Sequence, residues 1–152
     1  MKNFSQLVEE IRKVRKRIAL ICPNDEHSYY IVERCLKEEL TDFLLIVERS
    51  HRAHGEALRS LSPAHVQLFE VDSLEEAARK GVMLVHEGQA DVLIFPNIES
   101  SNVFYKTLTL FAGSRMAAVL RGTAVPVVVT SRADSGLSKY HSLSLACKIG
   151  DS

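Results

Sequence analysis

Short, nearly continuous apolar runs that alternate with amphipathic stretches are the feature that most constrains this fold. Five such runs predict buried strands over residues 17–23, 42–48, 66–71, 92–95 and 126–131. Helical periodicity predicts helices over residues 4–14, 31–40, 49–61, 74–85, 101–111, 114–121 and 136–148. Apolar strands that alternate with helices indicate a parallel sheet covered on both faces. We therefore predict a single α/β domain over residues 1–152, with three α/β/α layers and a mostly parallel sheet of about five strands.

Charge and cysteine usage restrict the possible partners and the compartment. The 19 basic and 19 acidic side chains cancel, which argues against nucleic acid or an anionic membrane surface as a partner. No apolar run reaches the roughly 18 residues of a membrane span, and Met1–Arg17 lacks the apolar core of a signal peptide. The three cysteines are few and widely spaced, as in a reducing cytosol. We predict a cytoplasmic protein.

The residues that follow the predicted strands are the most informative about a binding site. In open α/β sheets, ligands bind beyond the carboxyl ends of the strands, where the strand order reverses. The residues in such positions are Asn24, Asp25, Glu26, Asp72, Ser73, Asn97–Asn102, Ser131 and Arg132.

Polar residues are concentrated between Asn97 and Lys106, directly after the fourth predicted strand. Ser100, Ser101 or Asn102 at a helix start would offer side-chain oxygens and unpaired N–H groups, which attract anions. Lys106 lies four residues after Asn102 and therefore falls on the same helix face. The alternative interpretation is ordinary capping of a helix beside a solvated lysine.

The sequence TSRADS, Thr130–Ser135, ends the fifth predicted strand. A hydroxyl and a guanidinium side by side suit a phosphate group, since arginine gives a two-pronged donor and serine adds a further one. The alternative interpretation is a surface turn with an exposed arginine.

Several common sites are not supported by the sequence. The six histidines lack an obvious metal-ligand spacing and the cysteines form no CxxC pair, so we predict no metal. Neither GxGxxG nor a Walker A loop is present, which argues against a standard dinucleotide or P-loop site.

The stretch PNIESSNVFYKTLTLFAGSRMAAVLRGTAVPVVVTSRADS closely resembles the C-terminal signature of the phosphate acetyltransferase/phosphate butyryltransferase family. The shared pattern is P-N/D, then G/S-N-x-x-Y-K, then F/L-A-G, and finally a strand that ends in T/L-S-R. The resemblance extends over residues 91–146, and the beginning of the chain is similar in a looser way. It implies part of an isocitrate/isopropylmalate dehydrogenase-like fold.

The resemblance also implies an activity and a set of site residues. Members of this family move an acyl group between phosphate and coenzyme A. The implied partners are acyl phosphate, phosphate and coenzyme A as a substrate, in a homodimer or higher homo-oligomer. The implied catalytic residues are Ser131, Arg132 and Asp134. Asp134 is the acidic residue whose carboxylate would assist deprotonation of the thiol. The implied binding residues are Asn97, Ser100, Asn102, Tyr105 and Lys106.

The chain is considerably shorter than members of that family, and the central portion is predicted to be missing, with HEGQAD joining the early part to the late part. Three functions therefore remain open. The chain could be a short acetyl or butyryl transferase, or a non-catalytic relative that binds a ligand or partners a full-length enzyme. It could also be a receiver-like domain in which Asp25, Glu26 and Asp72 form an acidic cluster and Asp72 accepts phosphate.

Overall fold

The computed structural model describes residues 4–120, 123–132 and 134–150, with side chains described from residue 8 onward. These residues fall into two compact units, residues 4–101 and residues 102–150. The helices are α1 (Phe4–Arg12), α2 (Glu26–Lys37), α3 (Arg52–Leu61), α4 (Leu74–His86), α5 (Ile98–Phe111) and α6 (Gly136–Gly150). A single turn of 3₁₀-helix, Arg49–His51, precedes α3. The prediction of one domain stays a prediction.

A parallel sheet forms the centre of the first unit. Its strands are β1 (Lys16–Ile21), β2 (Thr41–Glu48), β3 (Val66–Val71) and β4 (Val92–Ile94). Their order is β3-β2-β1-β4, and every neighbouring pair runs parallel. The chain moves outward from β1 to β3 and then returns to the other side of β1. The order therefore reverses between β1 and β4, which is where an α/β sheet offers a binding crevice.

Alternate residues along the central strands pack against helices on opposite faces of the sheet. On one face, Ala19, Ile21 and Ile46 pack with Ala77 and Leu84 of α4. The other face is built in the same way by the intervening residues of β1 and β2 and by α2 and α3. Its buried members are Leu20, Phe43 and Leu45, together with Val66 of β3 and with Val32 and Leu58 of the helices. Because successive strand side chains point to opposite faces, a run that is apolar throughout fills both layers. The predicted α/β class with helices on both faces is confirmed.

Polar residues begin two of the helices that cover the sheet, as the sequence predicts. Asp25 accepts the N–H groups of His27 and Ser28 at 2.9 and 3.0 Å, which satisfies donors that the first turn of α2 cannot pair internally. Ser73 accepts the N–H of Glu76 at 3.2 Å at the start of α4. The Glu76 carboxylate returns to the N–H of Asp72 at 2.9 Å, one residue earlier than the usual capping-box geometry.

A glycine allows α3 to lie close to the sheet. A Cβ atom added at Gly55 would lie 2.8 Å from a Leu68 methyl and 3.1 Å from both methyls of Val47. Val47 is fully buried and branched at Cβ, so its methyl groups have little freedom to move away.

Two elements predicted between α5 and α6 differ from the structure. No helix forms over residues 114–120, and Arg121 lies outside the described residues. Gly113 has a φ of 61°, and the Ser114 N–H returns to the Leu108 carbonyl at 3.1 Å, so α5 ends there. The Ala118 N–H then donates to Ser142 Oγ at 3.1 Å instead of to a helical carbonyl.

The fifth predicted strand, over residues 126–131, is not a strand of the sheet among the described residues. Val127 forms one isolated antiparallel bridge with Leu120, with N–H···O distances of 2.8 and 3.2 Å. Val129 in the same run is 66% exposed. An apolar run indicates a tendency to form a strand, but it does not identify the partner with which the strand pairs. The described sheet therefore has four strands where about five are predicted.

Candidate functional site

The polar cluster after β4 begins a helix. Helix α5 starts at Ile98, three residues earlier than predicted. Asn97 Oδ1 accepts the Ser100 N–H at 2.8 Å, and Ser100 Oγ donates to the same oxygen at 2.8 Å. Both side chains are thus used in capping, which is the alternative interpretation of this stretch. Asn102 lies inside the helix and is exposed to solvent.

Asp134 connects the turn after Thr130 to helix α5. Its Oδ2 accepts the Ser131 N–H at 2.7 Å, and its own N–H donates to the Ser131 carbonyl at 3.1 Å. These two bonds close a turn from Ser131 to Asp134. Its Oδ1 accepts the hydroxyl of Tyr105, a residue 29 positions earlier on α5.

Lys106 connects the same helix to the same turn. Its Nζ donates to Ser131 Oγ at 3.2 Å and lies 5.6 Å from the centre of the Tyr105 ring. Tyr105, Lys106, Ser131 and Asp134 are all partly buried. The structure therefore brings four of the predicted site residues together, although two come from α5 and two from a turn about 25 residues later.

The charges of this cluster affect the protonation of its members. The Tyr105 hydroxyl lowers the pKa of the Asp134 carboxyl, and the Ser131 N–H and the nearby Lys106 and Lys139 act in the same direction. In return, the hydrogen bond to Asp134 raises the pKa of Tyr105 above that of a free phenol. Asp134 is therefore an anion, and Tyr105 a neutral donor, near neutral pH.

Arg132 lies in the middle of the turn, with its side chain exposed. It makes no hydrogen bond or ion pair with the described residues, whereas Lys106 does. Arg132 directly follows Ser131, the residue that Lys106 contacts, so two cationic residues and one hydroxyl belong to this turn or contact it. Such a set of donors can bind the oxygens of a phosphate group.

Two further residues of this site were missed from the sequence. Ser135 Oγ accepts the N–H of Ser138 at 3.1 Å and so begins helix α6 directly after the turn. Lys139 lies in the first turn of α6 and contributes to the lowered pKa of Asp134. A serine directly before a predicted helix is a capping signal that could have identified Ser135.

The acidic residues of the receiver-like alternative have structural uses in the first unit. Asp25 caps α2, as described above, and Asp72 forms an ion pair with Arg49 at 3.1 Å.

Cys22, which follows β1, is unsuited to nucleophilic chemistry, because burial raises the pKa of its thiol to about 11.

Among residues 4–120, 123–132 and 134–150, no group of three or more histidine, cysteine, aspartate or glutamate side chains is arranged to hold a metal ion. None of the helices in these ranges is long and apolar enough to cross a membrane.

Residues 70–147 match the family model described as phosphate acetyl/butaryl transferase. The chain is 38% identical over 133 residues to a phosphate butyryltransferase of Clostridium beijerinckii. It is 44% identical over 79 residues to a phosphate acetyltransferase of Thermotoga maritima, and 48% identical over 77 residues to a phosphate butyryltransferase of Clostridium acetobutylicum. The family match includes the α5 residues and the turn residues of the cluster. The chain therefore belongs to the phosphate acetyl/butaryl transferase family.

These matches cover much of this chain but less than half of each relative. The alignment with the Clostridium beijerinckii protein spans 88% of this chain and 41% of that protein. The alignments with the Thermotoga maritima and Clostridium acetobutylicum proteins span 52% and 51% of this chain, and 27% and 26% of those proteins. The chain therefore aligns with less than half of the length of each of these relatives.

Proposed function

We propose that this chain transfers an acetyl or butyryl group between an acyl phosphate and coenzyme A. The single observation that carries the proposal is the contact between Lys106 Nζ and Ser131 Oγ, 3.2 Å long, at the residue that directly precedes the exposed Arg132. A lysine, a serine hydroxyl and an arginine brought to one turn are suited to the phosphate end of an acyl phosphate. The membership of the chain in the phosphate acetyl/butaryl transferase family supports the same substrate class.

The reaction needs little from the protein beyond orientation and charge. The sulfur of coenzyme A forms a bond to the acyl carbonyl carbon, and the bond from that carbon to the phosphate oxygen breaks. The thiol proton passes to solvent or to the departing phosphate, and the reverse reaction restores it. Arg132 would hold two phosphate oxygens and Ser131 would bind a third. The charge of Lys106, next to Ser131, would add to the stabilisation of the negative leaving group.

The other predicted binding residues would act from helix α5. Asn102 is exposed one turn before Lys106 on the same helix face, so its amide can contact a ligand held at the turn. Asn97 and Ser100 bind each other at the helix start, which leaves them the secondary role of fixing where α5 begins.

Binding without turnover is the second candidate function. The observation that favours it is coverage, since this chain aligns with only 41% of the Clostridium beijerinckii relative. A site that holds phosphate or coenzyme A and lacks the rest of a cleft would bind these ligands without rapid acyl transfer.

Acyl transfer can be followed as the loss of free coenzyme A thiol in the presence of acetyl or butyryl phosphate. We expect turnover in the native chain and its loss in Arg132→Ala. Arg115→Ala is the matched control, because Arg115 is another exposed arginine of residues 102–150 that lies outside the turn. Phosphate or coenzyme A that raises the melting temperature without turnover would favour the binding function. Equal turnover in Arg132→Ala and the native chain would contradict the site assignment.

We also infer a homodimer or a higher homo-oligomer. Large apolar side chains of the second unit are solvent-exposed, among them Val103 and Leu110 at 67%, Phe111 at 86% and Leu143 at 57%. Exposed apolar surface of this extent is typical of a region that is covered in an assembly. Light scattering should give at least twice the 17.0 kDa chain mass, and a monomer at high protein concentration would contradict this inference.

A further inference from the structure

Both carboxylate oxygens of Asp134 are engaged by the protein itself. Oδ2 accepts the Ser131 N–H at 2.7 Å, and Oδ1 accepts the Tyr105 hydroxyl. The Asp134 N–H closes the same turn through the Ser131 carbonyl at 3.1 Å. The turn that carries Arg132 is thus tied at both ends and is connected to helix α5.

We propose that Tyr105 and Asp134 are positioning residues, which hold the Ser131–Asp134 turn so that Arg132 is presented to the phosphate, and that Asp134 is not the base for the coenzyme A thiol. This inference rests on the proposed function for the identity of the ligand. We call the two contacts of Asp134, with the Ser131 N–H and with the Tyr105 hydroxyl, the clamp. The clamp can be tested without any ligand.

Geometry favours positioning over proton transfer. A general base must come within hydrogen-bond distance of the proton that it removes. Here one carboxylate oxygen contacts the backbone of its own turn and the other contacts a phenol. The lowered pKa of Asp134 points the same way, since a carboxylate that binds protons weakly is poorly matched to a thiol.

The clamp matters because nothing else among the described residues fixes Arg132. Its guanidinium has no hydrogen bond or ion pair to them, so its position depends on the backbone of the turn. A charge-assisted bond from an N–H to a carboxylate is among the stronger ways to hold such a backbone. Tyr105 then keeps the carboxylate itself in one orientation.

Amide hydrogen exchange at Ser131 tests the clamp directly. In Tyr105→Phe, we expect the Ser131 amide to exchange about tenfold faster, the effect of losing one hydrogen bond. Asp134→Ala should give a larger increase, because it removes the acceptor itself. Tyr140→Phe is the matched control, because Tyr140 is 64% exposed on α6. The Ser131 amide of this variant should exchange at the same rate as in the native chain. An unchanged Ser131 rate in Tyr105→Phe, with native far-UV circular dichroism, would overturn the proposal.

Kinetics of acyl transfer separate positioning from proton transfer. Asp134→Asn keeps an oxygen acceptor but cannot take a proton at neutral pH. For a positioning residue we expect kcat to fall by less than about tenfold in this variant, whereas removal of a general base costs roughly 10² to 10⁴. The Tyr105→Phe variant should raise KM for the acyl phosphate more than it lowers kcat. A loss of 10²-fold or more in kcat for Asp134→Asn would assign the base role and refute ours.

The pH dependence of phosphate affinity gives an independent measure. Protonation of Asp134 removes the negative charge that strengthens the hydrogen bond from the Ser131 N–H, so this bond weakens and phosphate affinity should fall on acidification. Tyr105→Phe removes the largest cause of the lowered pKa, and this fall should therefore begin at a higher pH than in the native chain. An acidic limb at the same pH in both proteins would count against the clamp.

The two possible failures can be told apart. If the native chain neither turns over nor binds phosphate, the proposed function is wrong, while the exchange rate of the Ser131 amide still decides whether the clamp exists. If the native chain is active and the exchange rates of all variants agree, the function stands and the clamp is wrong.

Discussion

Replacing Lys106 with methionine removes a positive charge from the candidate phosphate site while keeping a long side chain. Lys106 Nζ lies 3.2 Å from Ser131 Oγ. A phosphate oxygen at hydrogen-bond distance from that hydroxyl would lie about 5 Å from Nζ. Two unit charges at that distance attract by about 3 kcal/mol at an effective dielectric constant near 20. Because the site is only partly buried, we take about 2 kcal/mol, which corresponds to roughly a thirtyfold loss of phosphate affinity.

Isothermal titration with inorganic phosphate at low and high salt measures this loss. Lys106→Arg is the control that keeps the charge, and it should retain most of the affinity. The difference between Lys106→Met and the native chain should shrink at high salt, because screening weakens the attraction. Equal affinities for the native chain and Lys106→Met at low salt would refute the electrostatic reasoning, and so would a difference that does not depend on salt.

Three further predictions concern the stability of the first unit. Gly55→Ala should lower the free energy of unfolding by about 1 kcal/mol, because overpacking costs roughly 1–3 kcal/mol and the better helix propensity of alanine returns up to about 1 kcal/mol. Thermal melts measure this loss. Gly136→Ala is the control, because an added Cβ meets nothing within 4 Å there, and this variant should not be destabilised. Asp25→Ala should cost about 1 kcal/mol through loss of the α2 cap, whereas Asp25→Asn should recover most of it, and equal stabilities of the two variants would argue against capping. Hydrogen bonds from Arg17 lower the pKa of Asp91, so the stability from this contact should be present above the unfolded-state pKa and be lost as pH falls through the lower folded-state pKa. Acid titration of Asp91→Asn should then show a shallower loss of stability below about pH 4, and an identical acid profile would contradict the assignment.

The first unit could be predicted well from the sequence because its signals are local. Residues 42–48 and 66–71 are apolar runs with clear boundaries, and the structure has strands over Thr41–Glu48 and Val66–Val71. Asp25 and Ser73 likewise stand directly before the helices that they cap. In both cases the residues that determine the element lie within a few positions of it.

The segment between α5 and α6 could not be predicted in the same way. Residues 114–120 have helical composition, yet their N–H groups are not used in a helix, and Ala118 donates to Ser142 on α6. Residues 126–131 have strand composition, yet only Val127 forms a bridge. Here tertiary partners decide the backbone conformation, and propensity is a weak guide when they do.

The candidate site was predicted residue by residue but not as a network. Helical spacing placed Asn102 and Lys106 on one face, and the resemblance indicated Ser131, Arg132 and Asp134. Neither could show that Tyr105 donates to Asp134 across 29 positions, because a hydrogen bond between distant residues leaves no periodic pattern.

The hydrogen bond from Tyr105 to Asp134 changes the role that we expect for Asp134. A carboxylate beside a serine and an arginine suggests a base when only the sequence is considered. With both oxygens engaged and its pKa lowered, it is better suited to holding the backbone in place. Acyl transfer from a phosphate to a thiolate makes limited demands on a base, since a thiol with a pKa near 8.5 already ionises in part at neutral pH. Under the proposed function, the rate should then depend mainly on how firmly the phosphate is held, and we propose that Tyr105, Lys106 and Asp134 together control this.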